Sequence, residues 1–379
     1  MSILDKIEPA ATVRLNNLAL ELRRRGENII SFAAGEPDFD TDKRIIDEAY
    51  ASMLKGETHY TSSLGLYELR ERIAEKVNNE NNIPAGAENV IIIPTKFAIY
   101  AALISIIEYN DEVLIHDPYW VSYESQVKLT GAKPIFFRLT EHFSLDIEDL
   151  KSKISSRTKA IIINTPNNPT GAVFSRDEIK ALVDLARDYN LYIISDEIYE
   201  KLIYEGEHVS PASYDPERVI VVNGFSKAFA MTGWRIGYAV ANKNIIGRME
   251  KFVQHTLTCL PAFIQRAAVK ALDLGAEIYE KYREEYRRRR DFLISELNNI
   301  NNLEISKPMG TFYLFPKYKI NMNSEDLAKL LLEREKVLVV PGSSFGKNGE
   351  YHFRISFATS MSSLREGAKR IQEFFKNYN

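Results

Sequence analysis

The chain predicts an α/β fold: one mainly parallel sheet of about seven strands between helices, followed by a smaller α+β part. Three observations predict it. Short runs rich in β-branched residues recur through the middle of the chain. Most are apolar throughout rather than alternating, the pattern of strands buried on both faces. Helical patterns separate several of them, as parallel strands require.

The elements follow in order. Ala11–Arg25 reads as a helix, because Leu15, Leu18 and Leu22 recur at helical spacing and Gly26 follows in the capping position. An irregular stretch comes next, Ala34-Gly35-Glu36-Pro37-Asp38-Phe39-Asp40. The strands are expected at Val90–Ile93, Val113–Ile115, Pro134–Phe137, Ala160–Asn164, Tyr192–Ser195, Val219–Asn223 and Ile236–Val240, with Arg176–Tyr189 a clear helix between two of them. Past Gln265 the texture changes. Tyr282, Tyr286, Leu293 and Leu297 form a helical stripe beside the run Arg287–Arg290. Acidic residues on both sides of that run favour a solvated helix face over a polyanion site. Strands at Thr311–Phe315, Val337–Val340 and His352–Phe357 and helices at Ser324–Glu335 and Ser362–Asn377 make an α+β arrangement. The N-terminal helix is expected to join it, since termini often meet.

Composition bounds the function. A length of 379 residues suggests two or three domains. Lys plus Arg (49) nearly balances Asp plus Glu (52), a formal charge of −3, which argues against a dedicated nucleic-acid binder. The single cysteine, Cys259, excludes an intrachain disulfide framework and a cysteine-rich metal site, and suits a reducing compartment. Asp5, Lys6 and Glu8 interrupt the place of a signal-peptide core. The longest apolar-looking stretch, Ala98–Ile107, falls well short of the roughly 20 residues of a membrane span. The expectation is a soluble, cytoplasmic enzyme with no membrane or nucleic-acid partner.

Common signatures are missing: there is no G-x-G-x-x-G, no Walker A loop and no H-E-x-x-H. Gly224-Phe225-Ser226-Lys227-Ala228 nearly matches the nucleophile elbow, but its last glycine is alanine. A serine hydrolase using Ser226 is therefore a rival to be weighed.

Four segments at strand ends carry a different chemistry. Asn167-Asn168-Pro169-Thr170-Gly171, Asp196-Glu197-Ile198-Tyr199 and Gly224-Phe225-Ser226-Lys227 each follow an expected strand, and Thr232-Gly233-Trp234-Arg235 precedes one. Parallel strands would gather the first three at one sheet edge, where α/β proteins bind ligands. Singly, each is an ordinary turn or cap. Together they match the needs of pyridoxal phosphate. Its aldehyde needs an amine, Lys227. Its pyridine nitrogen needs a carboxylate, Asp196. Its phenolic oxygen needs donors, Asn168 and Tyr199. Its phosphate needs an arginine and hydroxyls, Arg235 with Ser226.

On these motifs, with Ser226–Gly237 read as one block and Phe353-Arg354-Ile355-Ser356 added, the sequence resembles the fold-type I pyridoxal-phosphate enzymes of the class I aminotransferase family. Pro9–Val13, Ala34–Thr41 and Asp117–Tyr123 make it similar to the prokaryotic aspartate aminotransferase branch. The resemblance runs from about Ile7 to the C-terminus. It implies a large cofactor domain of residues 41–285 and a small domain of 1–40 with 286–379.

The resemblance also implies roles. Lys227 holds the cofactor as an aldimine and moves the proton, with Asp196 and Tyr199 in support. Arg354 anchors the substrate α-carboxylate, Gly35 lies in the segment that closes over the substrate, and Trp120 stacks on the pyridine ring. Tyr60 reaches the phosphate site of a partner subunit, so the expected assembly is a homodimer. Lys96 contacts the distal carboxylate of a dicarboxylic substrate, which favours aspartate with 2-oxoglutarate; an aromatic donor is the alternative. One departure stands out. The helix under the phosphate usually opens with small residues, and here it opens Pro94-Thr95-Lys96. Pro94 has no N–H to give, so the Thr95 hydroxyl and the helix N-terminus are left to hold the phosphate. Cys259 is expected to be an inert buried thiol.

Overall fold

In the computed structural model, which describes residues 3–378, helix α1 (Ala11–Arg24) comes first after a short 3-10 turn. Leu15, Leu18 and Leu22 lean on the core and Ala19 is buried in it. Gly26 ends the helix at φ +83, where a side chain would be strained. Strand β1 (Ile30–Ser31) and the irregular 34–41 stretch lead to α2 (Lys43–Leu54), whose first turn is capped by the Asp42 carboxylate accepting from the Arg44 N–H. Helix α3 (Tyr67–Asn81) follows.

The central sheet then begins with β2 (Val90–Ile92), followed by α4 (Thr95–Ile106), β3 (Glu112–Asp117), α5 (Ser122–Leu129), β4 (Lys133–Arg138), α6 (Ile147–Ser152), β5 (Thr158–Asn164), α7 (Arg176–Asp188), β6 (Tyr192–Asp196), β7 (Val219–Gly224) and β8 (Gly237–Val240). Its spatial order is β2-β8-β7-β6-β5-β3-β4. Strands β3 to β7 are parallel, and β8 runs antiparallel between β2 and β7. All seven expected strands are present. Successive residues go to opposite faces: Ile161, Ile163 and Ile193 enter one apolar layer, and Ala160, Ile162 and Ile194 the other. Burying each isoleucine is worth roughly 1.5–3 kcal/mol, which is why these runs need no polar face. Strand β4 is an edge strand, and that position tolerates its Pro134. Helix α7 opens on a capping box between Ser175 and Glu178.

The chain continues through α8 (Lys243–Gln254), α9 (Ala262–Leu274) and α10 (Ala276–Leu297), then β9 (Leu303–Glu304), β10 (Tyr313–Leu314), β11 (Lys317–Tyr318), α11 (Ser324–Glu335), β12 (Val337–Leu338), β13 (Val340–Pro341), β14 (Phe353–Ser356) and α12 (Met361–Lys376). The expected strand at Val337–Val340 is two strands with different partners. β12 pairs in parallel with β1, whereas β13 joins β14 and β10 in an antiparallel sheet. The N-terminal segment is thereby stitched to the C-terminal part of the chain. Helix α10 runs unbroken through positions 285 and 286.

The four-arginine run corrects the sequence reading. Arg288 is solvated, but Arg289 and Arg290 are buried. Helical spacing places them on the inward stripe with Tyr286 and Leu293. Arg289 donates through Nη1 to both carboxylate oxygens of Asp38, at 2.7 and 2.9 Å, and lies over the ring of Phe39. Arg290 donates to the Pro308 carbonyl at 2.9 Å and to Asp291 at 2.8 Å. The acidic flanks neutralise buried cations as well as exposed ones. Among the described residues, no helix is long and apolar enough to cross a membrane.

Candidate active site

The C-terminal ends of β5, β6 and β7 deliver Asn164, Asp196 and Gly224 to one edge of the sheet. The N-terminus of α4 closes that edge, and β10 and β14 approach from the other side. Between them lies a cleft of about 410 Å³. It brings together Gly35, Thr95, Lys96, Trp120, Asn168, Asp196, Tyr199, Ser226, Lys227, Arg235 and Arg354. Those are all of the expected site residues but one. Tyr60 does not line it and is 88% exposed.

Lys227 donates through Nζ to the Gly35 carbonyl at 2.6 Å. Burial lowers its pKa to about 8, helped by Arg354 and Arg235 and opposed by Glu36 and Asp196. Asp196 is buried, and burial raises its carboxyl to about 6. The Tyr123 hydroxyl donates to its Oδ2 at 2.7 Å, and the Ile198 N–H to its Oδ1 at 3.3 Å; both favour the ionised form. Tyr199 meets Tyr313 hydroxyl to hydroxyl at 2.9 Å. The loop after Lys227 holds two non-glycine residues in left-handed backbone, Ala230 (φ 53) and Arg235 (φ 56), a strain typical of functional loops. Arg235 is exposed at the mouth and donates to the Thr232 carbonyl at 2.6 Å.

Arg354 is the most unusual group. It is 1% exposed, yet among the described residues no carboxylate pairs with it. Its Nη1 donates to Asn168 Oδ1 and its Nη2 to the Ala33 carbonyl, each at 2.9 Å, while its buried Nε has no partner. A buried cation with an orphaned donor is a site for an external anion. A strand-edge salt bridge is excluded.

The departure at the start of α4 has a structural answer. Pro94 is the N-cap, and the Thr95 hydroxyl donates to the Asn223 carbonyl at 3.2 Å. That hydrogen is committed inside the protein. The first-turn N–H groups of Thr95 and Lys96 have no helical carbonyl to reach, so the helix end keeps its affinity for an anion. Gly237 allows this approach: a Cβ there would sit 2.9 Å from the Thr95 nitrogen. The Lys96 ammonium lies 5.1 Å from the Trp120 ring centroid, and burial lowers its pKa. Cys259 is half-buried rather than buried as expected, its Sγ accepting from the Thr61 N–H at 3.4 Å.

Sequence reading missed Tyr123, Tyr313, Glu36, and Thr12, Val13 and Asn16 of α1, all within this site. Tyr123 stood inside the Asp117–Tyr123 stretch but without a role. Tyr313 sits in an apolar run and looks like core packing. Among the described residues no histidine lines the cleft, so Ser226 lacks the partnered histidine that the hydrolase alternative requires.

The donor set fits pyridoxal phosphate on these observations: an amine whose charge burial disfavours, a buried carboxylate that accepts two hydrogen bonds, and a buried arginine with an orphaned donor. Comparison with known proteins agrees. The pattern of the family described as "Aminotransferase class I and II" matches residues 27–371. The chain is 40% identical to an aspartate aminotransferase of Bacillus subtilis, covering 98% of each chain. It is also 40% identical to an aromatic-amino-acid aminotransferase of Thermococcus litoralis, covering 99% of each. The structure of a Thermus thermophilus aspartate aminotransferase with maleate superposes with a TM-score of 0.96 at 39% identity, over 98% of this chain and 99% of that one.

Proposed function

Since the chain belongs to the class I and II aminotransferases, which are pyridoxal-phosphate enzymes, we propose that it moves the amino group of aspartate to 2-oxoglutarate with Lys227 as the cofactor's amine. Bound pyridoxal phosphate supplies an aldehyde and an electron-withdrawing ring that acidifies the substrate Cα–H. The protein's residues do the rest. Lys227 Nζ loses its proton readily near pH 8 and can carry the Cα proton. Asp196, kept ionised by Tyr123 and Ile198, holds the proton of the ring nitrogen. Tyr199 and the Asn168 amide donate to the phenolic oxygen; Asn168 Oδ1 is already taken by Arg354. Arg235, Ser226 and the α4 N-terminus take the phosphate, and Arg354 takes the α-carboxylate as a fork that lysine could not replace.

One observation carries the choice of a dicarboxylic substrate. Lys96 points its ammonium along the cleft wall over Trp120, and no carboxylate of the described residues pairs with it. Such a cation is matched by the distal carboxylate of aspartate. The aromatic reading rests on the Thermococcus relative's name. A panel of amino donors, read by keto-acid production, tests the two. Aspartate should be preferred, and Lys96→Ala should raise KM for aspartate about tenfold, the size of one charge-assisted hydrogen bond, while leaving an aromatic donor nearly unchanged. Equal effects on both donors would refute the role of Lys96.

The same reading includes a homodimer in the cytoplasm. Tyr60 stands clear of its own cleft, and Tyr50, Leu54 and Tyr67 are exposed nearby in sequence at 59%, 71% and 62%. Exposed apolar side chains of this kind suit a subunit interface. The division into a large domain of 41–285 and a small one of 1–40 with 286–379 belongs to this proposal. The β1–β12 pairing supports it by joining the two ends of the chain.

A further inference from the structure

Tyr313 lies in the cleft, 1% exposed, between the two groups that would meet substrate and cofactor. The Arg354 guanidinium carbon sits 4.2 Å from its ring centroid. Its hydroxyl is 2.9 Å from that of Tyr199. A Cβ on Gly35 would come within 3.1 Å of the same hydroxyl, so the covering segment is shaped to it. We propose that Tyr313 is a positioning residue with two separable duties: its ring carries Arg354 in place for the substrate carboxylate, and its hydroxyl donates to Tyr199 so that the Tyr199 hydrogen faces the cofactor.

The direction of that hydrogen bond follows from the cation. A guanidinium against the ring face draws electron density from the phenol and makes its O–H the better donor. Tyr199 then accepts from Tyr313 and keeps its own hydrogen for the phenolic oxygen. The ring duty needs only an aromatic face. The hydroxyl duty needs the oxygen. Arg354 requires the first, because it is buried with no carboxylate partner among the described residues and its Nε is unpartnered.

This inference rests on the cofactor reading, and two variants separate it from that reading. In the cofactor-loaded protein, the pH at which the visible band shifts reports donation to the phenolic oxygen. Succinate, which cannot be transaminated, reports carboxylate binding by titration calorimetry. Tyr313→Phe should move the band transition upward by about half a pH unit to one unit, the size of a lost hydrogen bond, with succinate affinity within twofold of the unaltered protein. Tyr313→Leu should move the band similarly and also weaken succinate roughly threefold to tenfold. An unchanged band in Tyr313→Phe, or equal succinate losses in the two variants, overturns the assignment alone. Absence of any visible band in the unaltered protein overturns the cofactor reading and this assignment together.

Discussion

Tyr123 gives its hydroxyl hydrogen to Oδ2 of Asp196 at 2.7 Å, and both side chains are buried. The bond favours a charge that burial opposes. Burial wins in part, raising the carboxyl from 3.8 to about 6. A raised acid costs stability wherever the unfolded form is ionised. The penalty is therefore absent below pH 4, grows as pH rises from about 4 to 6, and is fully present above, about 3 kcal/mol by linkage. Asp196→Asn in the cofactor-free protein should flatten that slope, read by thermal melts across pH 4–7. Tyr123→Phe should push the carboxyl higher, so that cofactor affinity is lost at a higher pH on acidification. An unchanged profile of cofactor affinity against pH would contradict the role given to Tyr123.

Lys227 is the mirror case. Its amine is lowered to about 8 by burial, so its penalty is fully present below pH 8 and disappears as pH rises towards its unfolded value near 10.4. Lys227→Met should raise the melting temperature of the cofactor-free protein at pH 7, with the advantage narrowing between pH 8 and 10. Lys227→Ala should abolish transamination. Borohydride reduction of the loaded protein should attach the cofactor to the peptide containing Lys227, and mass spectrometry checks the site.

The Arg289–Asp38 ion pair ties the 34–41 segment to α10. Removing the carboxylate leaves a buried guanidinium with Glu285 as its remaining ion-pair partner. Asp38→Asn should cost about 2 kcal/mol in urea unfolding, below the 3–5 typical of a fully orphaned charge because Glu285 stays. The same change should raise KM for the amino donor, since Gly35, whose carbonyl receives Lys227, belongs to the loosened segment.

Tyr60 is predicted to act in trans. Tyr60→Ala and Lys227→Ala should each be nearly inactive alone. Mixed dimers formed by co-expression should regain activity, because one of their two sites has both residues. Recovery is measured against the parent variants at equal protein concentration. No recovery would place the function of Tyr60 in its own subunit or nowhere.

Much of this molecule was legible because local chemistry and global fold agree. The seven strands were readable because most are apolar on both faces, and Asp196, Asn168 and Lys227 because parallel strands force their C-terminal ends to one edge. What was not legible depended on which face of an element meets which neighbour. Arg289 and Arg290 look identical to Arg288 in sequence, and only packing against Asp38 and Pro308 buries them. Tyr313 reads as core because a strand conceals whether its hydroxyl meets lipid-like packing or another hydroxyl.

By itself, then, the sequence determined the α/β layering, the order of the strands' functional ends and the set of residues that suits the cofactor, because period, β-branching and turn chemistry are local properties. Tertiary structure alone decided that Arg354 is buried with no carboxylate partner among the described residues, that Tyr123 and Tyr313 meet Asp196 and Tyr199 in hydrogen bonds, and that the two ends of the chain pair through β1 and β12. Those outcomes depend on desolvation and on contacts between residues far apart in the chain, which no local pattern encodes.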